Sequence, residues 1–200
     1  MKKIVIAALA AATMVPVAAQ AQDVAPSSFA GFRVEGNLGW DKQQAFGNNN
    51  EKFGYGGSAG WDGNVSERIV VGPEVSYWRP NKGRNSVVSD NGLAVNQGRD
   101  MWAGTVRVGV RATPDLLVFG KGGYVNQRQR TYVALPGGVV ARDSDHVGGY
   151  QFGGGLQYAP ADKFSFVPAN VYVSAQYAYS RFDNRTKDQH AMAGIGFRFR

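Results

Sequence analysis

The sequence predicts an all-β protein, an eight-stranded antiparallel transmembrane up-and-down β-barrel. Apolar and polar residues alternate with a period of two through most of the chain, which is typical of strands with two different faces. One face is rich in Tyr, Phe, Trp and Val, whereas the other holds mainly Gly, Ser and Gln with a few charges. Short and long connections also alternate along the chain, as they do in barrels that cross a membrane.

The N-terminus has the features of a bacterial secretory signal peptide. Lys2 and Lys3 precede a long apolar run, and Ala19-Gln20-Ala21 fits the small-x-small cleavage rule. We therefore expect removal of residues 1–21 and a single barrel domain over residues 22–200. The alternative, a retained transmembrane helix, needs about 20 apolar residues with flanks that stop transfer.

Composition excludes several classes of function. The 200 residues contain no Cys and only two His, so we expect no disulfide, no thiol nucleophile, no metal ion and no other cofactor. The formal charge of +7 falls to +5 without Lys2 and Lys3, which is too modest to indicate nucleic acid binding. Aromatic residues make up 12% of the chain and charged residues 18%, which argues against intrinsic disorder.

Eight segments show the alternation, each of about the length that a tilted strand needs to cross a bilayer. They are residues 29–40, 52–65, 68–78, 101–112, a fifth segment that begins at Leu116, and residues 146–158, 169–180 and 190–200. In chain order, their apolar faces include Phe32 and Val34, Phe53 and Ala59, Ile69 and Val75, Val106 and Val108, Val118, Phe152 and Leu156, Val171 and Val173, and Ile195.

The lengths of the connections indicate which end of the barrel is periplasmic and which is extracellular. Short turns are expected at residues 63–67, 113–115 and 159–163, and long loops at 41–51, 79–100, 126–145 and 181–189. The short turns would be periplasmic, together with both termini, and the long loops extracellular. Within the third loop, Tyr132–Leu135 and Val139–Arg142 flank Pro136-Gly137-Gly138, and these two segments predict a hairpin above the membrane.

The apolar face could point to lipid or, in a soluble barrel, to the centre. A water-facing surface normally carries many Lys and Glu, and the polar faces here do not. Small residues with few charges fit a narrow lumen. The apolar face also carries aromatic residues near strand ends, as membrane-interface girdles require. The predicted girdle is formed by Trp40, Tyr55, Trp61, Tyr77, Trp102, Tyr124, Tyr158, Tyr177 and Tyr179.

The chain from residue 22 onward resembles the small eight-stranded outer-membrane β-barrels of Gram-negative bacteria, which include opacity-protein-like surface antigens and the barrel domain of outer membrane protein A. The best local matches are residues 116–124 and 194–200. In the second match, Gly194, Phe197 and Phe199 resemble the signal read by the barrel-assembly machinery, although Arg200 follows the last aromatic residue. The resemblance implies fold and location and gives no activity.

Charged residues on the polar faces predict a network inside the lumen, because buried charges must be paired or hydrated. We expect one cluster of Glu74, Arg107 and Lys121 and one pair of Glu35 with Arg198. The complete set is Arg33, Glu35, Asp62, Glu74, Arg107, Arg111, Lys121 and Arg198. Because bases outnumber acids in this set, a pore through the lumen would prefer anions.

The two histidines are weak catalytic candidates. Asp188-Gln189-His190 resembles part of the Asp/His site of omptin-type outer-membrane proteases, but those barrels have ten strands and further acids on an opposing strand. The His-x-Ser of lipid A deacylases follows neither His146 nor His190. We therefore interpret both as solvated bases in loops and expect no enzymatic activity.

The sequence predicts a monomeric outer-membrane protein with a structural and surface-antigen role and a lumen filled by salt bridges. Expected partners are outer-membrane lipid and lipopolysaccharide, and the barrel-assembly machinery during biogenesis, with no nucleic acid. One alternative is a narrow, porin-like channel for small anions. Another is an adhesin that acts through the loops at 81–97 and 127–143.

Overall fold

The structure, a computed structural model, describes residues 29–45, 48–81, 85–89, 92–135, 138–159, 170–183 and 186–199. It describes side chains in 29–42, 51–81, 100–128, 146–159, 170–183 and 186–199. The predicted signal peptide and Arg200 lie outside these ranges. Within them there is no helix of the length and hydrophobicity that crossing a membrane requires.

Nine antiparallel strands account for almost all of the described residues. They are β1 Gly31–Ala45, β2 Asn48–Asn64, β3 Ile69–Pro80, β4 Asn85–Ser89, β5 Gly92–Thr113, β6 Leu116–Leu135, β7 Gly138–Tyr158, β8 Val171–Phe182 and β9 Lys187–Phe199. Eight of them form a closed up-and-down barrel, while the short β4 pairs only with β5. The predicted fold class is confirmed.

Two pairings between strands that are not consecutive in the chain complete the cylinder. Strand β1 pairs with β9, so the first and last of the described strands are neighbours, and β3 pairs with β5 although β4 lies between them in the chain. We call the end with the 65–68 and 114–115 connections the turn end. The opposite end, where β1–β2 and β6–β7 meet, is the extension end.

Side chains alternate between the two faces as the sequence predicts. The large apolar residues Trp40, Val106 and Ile195 are exposed on the outer face, while their strand neighbours point inward and are buried. An outer surface of valines and aromatic residues would be unfavourable in water and is favourable against lipid acyl chains. All nine predicted girdle residues lie on the outer face, where each is exposed or half-buried.

The strands are longer than predicted at the extension end. Strands β5, β6 and β7 have 22, 20 and 21 residues, whereas β3 and β8 have 12 each. The segments 41–51 and 79–100, predicted as loops, are thus largely strand. The predicted hairpin is confirmed, with Tyr132 opposite Arg142 in the β6–β7 register.

One predicted short turn lies almost wholly outside the described residues. Strand β7 ends at Tyr158 and β8 begins at Val171, and the turn predicted at residues 159–163 falls within the connection between them. Residues 160–169 of this connection lie outside the described ranges.

The interior contains two apolar clusters with polar side chains between them. Phe29, Val70 and Leu117 form an apolar cluster at the turn end. A second apolar cluster lies toward the extension end and consists of Trp78, Met101, Ala103, Val125 and Phe182. Between the two clusters the lumen is filled with charged and amide side chains, which are the candidate site.

Candidate functional site: the interior ion-pair network

The network centres on Glu74 of β3, which receives two cations. Arg33 Nη2 of β1 donates to Glu74 Oε2 at 2.6 Å, and Lys121 Nζ of β6 donates to Glu74 Oε1 at 2.7 Å. All three side chains are buried. The predicted contact of Glu74 with Lys121 is therefore present, and Arg33 takes the place that the sequence assigned to Arg107.

Asp62 of β2 is the second shared acid. Its Oδ2 accepts a hydrogen bond from Arg33 Nε at 3.0 Å and from Arg198 Nη1 of β9 at 3.2 Å, and it lies 3.5 Å from Arg107 Nη1. Arg107 also donates to Gln157 Oε1 at 2.6 Å and lies 3.8 Å from the centroid of the Phe119 ring. Two carboxylates thus link cations from β1, β5, β6 and β9.

Amide side chains extend the network to Glu35 and Asn37. Ser174 Oγ and Gln176 Nε2 of β8 both donate to Glu35 Oε1 at 2.8 Å. The same Gln176 accepts from Lys121 Nζ at 2.7 Å and donates to Asn37 Oδ1 at 3.0 Å. Gln176 therefore joins the Glu35 group to the Glu74 group, and the network becomes continuous across the lumen.

Two sequence-based placements differ from the structure. The predicted pair of Glu35 with Arg198 is not formed, because β1 and β9 align Arg33 with Arg198 and Glu35 with Gly196, and Arg198 turns to Asp62. Arg111 does not join the network either. It is only partly buried at the turn end, where it donates to the backbone carbonyl of Glu67.

Sequence reasoning missed three buried groups at the extension end: Asp41, Asp188 and His190. The interpretation of His190 as a solvated loop base is wrong, because β9 begins at Lys187 and carries His190 into the interior. His146, in contrast, is exposed. The alternation of side chains along a strand could have identified these three residues. Asp41 continues the inward series of β1, and Asp188 and His190 continue that of β9.

These groups change the charge balance inside the barrel. The buried charged residues that the structure describes include five carboxylates, Glu35, Asp41, Asp62, Glu74 and Asp188, against four cations, Arg33, Arg107, Lys121 and Arg198. The predicted excess of base in the lumen is therefore not found among the described residues. The expected anion preference of a pore depended on that excess of base.

The predicted assembly signal is divided between the two faces of β9. Phe197 and Phe199 of the proposed assembly signal are exposed on the outer face, whereas Gly194 is buried beside Asn37 and Ser174. The side chains of most of the predicted adhesive loops, in residues 82–99 and 129–145, lie outside the described ranges.

One cavity in the described part of the lumen is small. This cavity of about 20 Å³ lies between Lys121, Gln151, Gln176 and His190, which is room for about one water molecule. With apolar clusters on both sides, the network has the chemistry of a fixed polar core that links strands far apart in sequence.

The chain matches the family described as outer membrane protein beta-barrel domain over residues 7–199. The chain belongs to this family. It is therefore an outer-membrane β-barrel protein. In that membrane its exposed apolar belt faces lipid. A comparison with curated proteins finds no match.

Two solved outer-membrane barrels are similar in fold. The attachment invasion locus protein Ail of Yersinia pestis is 17% identical, with a TM-score of 0.59, and the match covers 86% of this chain and 100% of Ail. Neisserial surface protein A is 15% identical, with a TM-score of 0.53, and the match covers 85% of this chain and 98% of that protein. At this level of identity the likeness concerns the fold alone.

Proposed function

We propose that this outer-membrane barrel is a closed, non-enzymatic structural protein that displays its extension end at the cell surface as an antigen. The observation that carries the proposal is the filled interior. Glu74 and Asp62 bind cations from four strands, and apolar clusters lie above and below them. A lumen filled in this way by ion pairs and apolar side chains offers no path for solutes.

The orientation of the chain is part of the proposal. Both ends of the barrel domain, Gly31 and Phe199, lie at the turn end, together with the short connections at 65–68 and 114–115. We place this end in the periplasm and the long extensions of β5, β6 and β7 outside the cell. The barrel would act as a monomer in contact with lipid and lipopolysaccharide after insertion by the assembly machinery.

Conductance in planar bilayers tests the closed state. Barrels that have been refolded into lipid, and whose folding is verified by the shift in electrophoretic mobility between boiled and unboiled samples, should give no channel steps above those of empty membranes. Regular steps from folded protein would contradict the proposal and support the alternative of a narrow pore.

Epitope insertion tests the orientation. A tag placed at residues 46–47 should be labelled by antibody on intact cells, whereas a tag at Pro114-Asp115 should be labelled only after the outer membrane is opened. The reverse pattern would overturn the proposed display of the extension end.

A further inference from the structure

Three potential metal ligands meet inside the barrel near the extension end. Asp41 lies on β1, and Asp188 and His190 lie two residues apart on the neighbouring β9, so all three point inward. One ligating atom from each lies within 4.8 Å of the other two. The residues are 4%, 0% and 1% exposed.

Hydrogen bonds leave four polar atoms of this cluster without a partner. Both ring nitrogens of His190 are buried without a hydrogen-bond partner, and so are Asp41 Oδ1 and Asp188 Oδ1. His190 Nδ1 lies 3.3 Å from Asp41 Oδ1, yet the two do not form a hydrogen bond. Buried polar atoms without partners are costly, and one explanation for such groups in a native protein is an ion that they bind.

We propose that Asp41, Asp188 and His190 bind one divalent transition-metal ion, with Zn²⁺ as the representative ion. Zinc bonds to imidazole nitrogen and carboxylate oxygen are about 2.0–2.2 Å long, so two ligands of a tetrahedral site lie about 3.3–3.5 Å apart. The His190 to Asp41 distance of 3.3 Å already has this value. Small rotations of the Asp188 carboxylate would complete a three-ligand site.

The surroundings hold the ligands in place. The ring of Trp78 packs edge-on against His190 with centroids 5.5 Å apart. Gln127 Nε2 lies 3.3 Å from Asp188 Oδ2 and donates to it, which leaves Asp188 Oδ1 without a hydrogen-bond partner. Such contacts behind the ligands fix their direction and strengthen metal binding.

The ligand types select the class of ion. Mg²⁺ and Ca²⁺ prefer shells made of oxygen, whereas an imidazole favours Zn²⁺, Cu²⁺, Ni²⁺ or Fe²⁺. Asp41 and His190 are register partners in the β1–β9 pair. The ion would therefore join the first and last strands of the chain and strengthen the seam at which the barrel closes.

Calorimetric titration of the folded barrel with ZnCl₂ tests the proposal. The protein is refolded in detergent without a histidine tag and treated with a chelator that is then removed. We expect one zinc per barrel, with no competition from Mg²⁺. His190→Ala and Asp188→Asn should each weaken binding roughly tenfold or more. His146→Ala, which removes the exposed histidine, is the matched control and should bind as the parent does.

The absence of zinc binding by the parent, or equal affinity in His190→Ala, would overturn the site. If a variant fails to fold, X-ray absorption of the zinc-loaded parent decides the question. Scattering from one imidazole and carboxylate oxygens supports the site, and a shell of water oxygens alone rejects it.

Discussion

Arg33 and Glu74 form an ion pair at 2.6 Å across a strand that lies between them. Arg33 is on β1 and Glu74 on β3, and both are opposite the same residue of β2, Gly60. The guanidinium can cross β2 because Gly60 has no side chain. A Cβ atom built on Gly60 would lie 3.0 Å from Arg33 Nη2 and 2.6 Å from the carbonyl oxygen of Pro73.

The same arrangement recurs on β9. Gly196 is opposite Glu35 on β1 and Tyr172 on β8, and a Cβ on it would lie 2.2 Å from the Tyr172 ring. Interior glycines thus make room for large side chains of the flanking strands. This explains why glycines stand between the charged residues on the inward faces of β2 and β9.

Gly60→Ala should destabilise the barrel by about 1–3 kcal/mol, since the added methyl group meets a backbone carbonyl that cannot move freely. Urea unfolding in lipid vesicles measures the effect. Gly36→Ala is the control, because Gly36 faces outward and a Cβ there meets nothing within 4 Å. That change should stay within about 0.5 kcal/mol of the parent. Equal losses in both variants would show that Gly60 has no special role in packing.

Glu74→Gln should lower the free energy of unfolding by about 3–5 kcal/mol, because it leaves the buried cations of Arg33 and Lys121 without their shared carboxylate. Adding Lys121→Met should restore part of the loss, since it removes the cation that has lost its carboxylate, whereas Arg33 keeps Asp62. The same urea assay measures both variants. Additive losses in the double variant would refute a direct coupling of the two side chains.

Arg198 should couple energetically to Asp62 and not to Glu35. In double-mutant cycles of Arg198→Met with Asp62→Asn we expect a coupling energy of about 1 kcal/mol or more, since the two groups are 3.2 Å apart in a buried site. The cycle with Glu35→Gln should give less than about 0.5 kcal/mol. The opposite result would restore the pair that the sequence predicts.

The position of Arg198 shows how much of the site the sequence can predict. Alternation identifies which residues face inward, and it placed Arg33, Glu35 and Arg198 there correctly. It does not give the register between strands, and a side chain can also cross a glycine to reach the second strand along. The pairing of Arg33 with Glu74 depends on both the register and Gly60, so it appears only in three dimensions.

The strand extensions were missed for a related reason. Alternation arises where one face meets lipid and the other the lumen, and it fades where both faces are polar, as in residues 41–51. Asp41 and Asp188 lie just beyond the aromatic belt, in this weakly patterned part. The sequence therefore assigned them to loops, although the barrel continues through them and buries both.

Val106→Arg tests the lipid-facing surface most directly. Val106 is 57% exposed on the outer face of β5, about midway between Trp102 and the strand end at Thr113. An arginine at the bilayer midplane should reduce stability by about 2–4 kcal/mol, and near an interface by about 0–1 kcal/mol. Val65→Arg supplies the comparison, because Val65 is 69% exposed in the 65–68 connection at the turn end. Equal, small effects of both substitutions in vesicles would mean that the belt around Val106 does not lie in the hydrocarbon core.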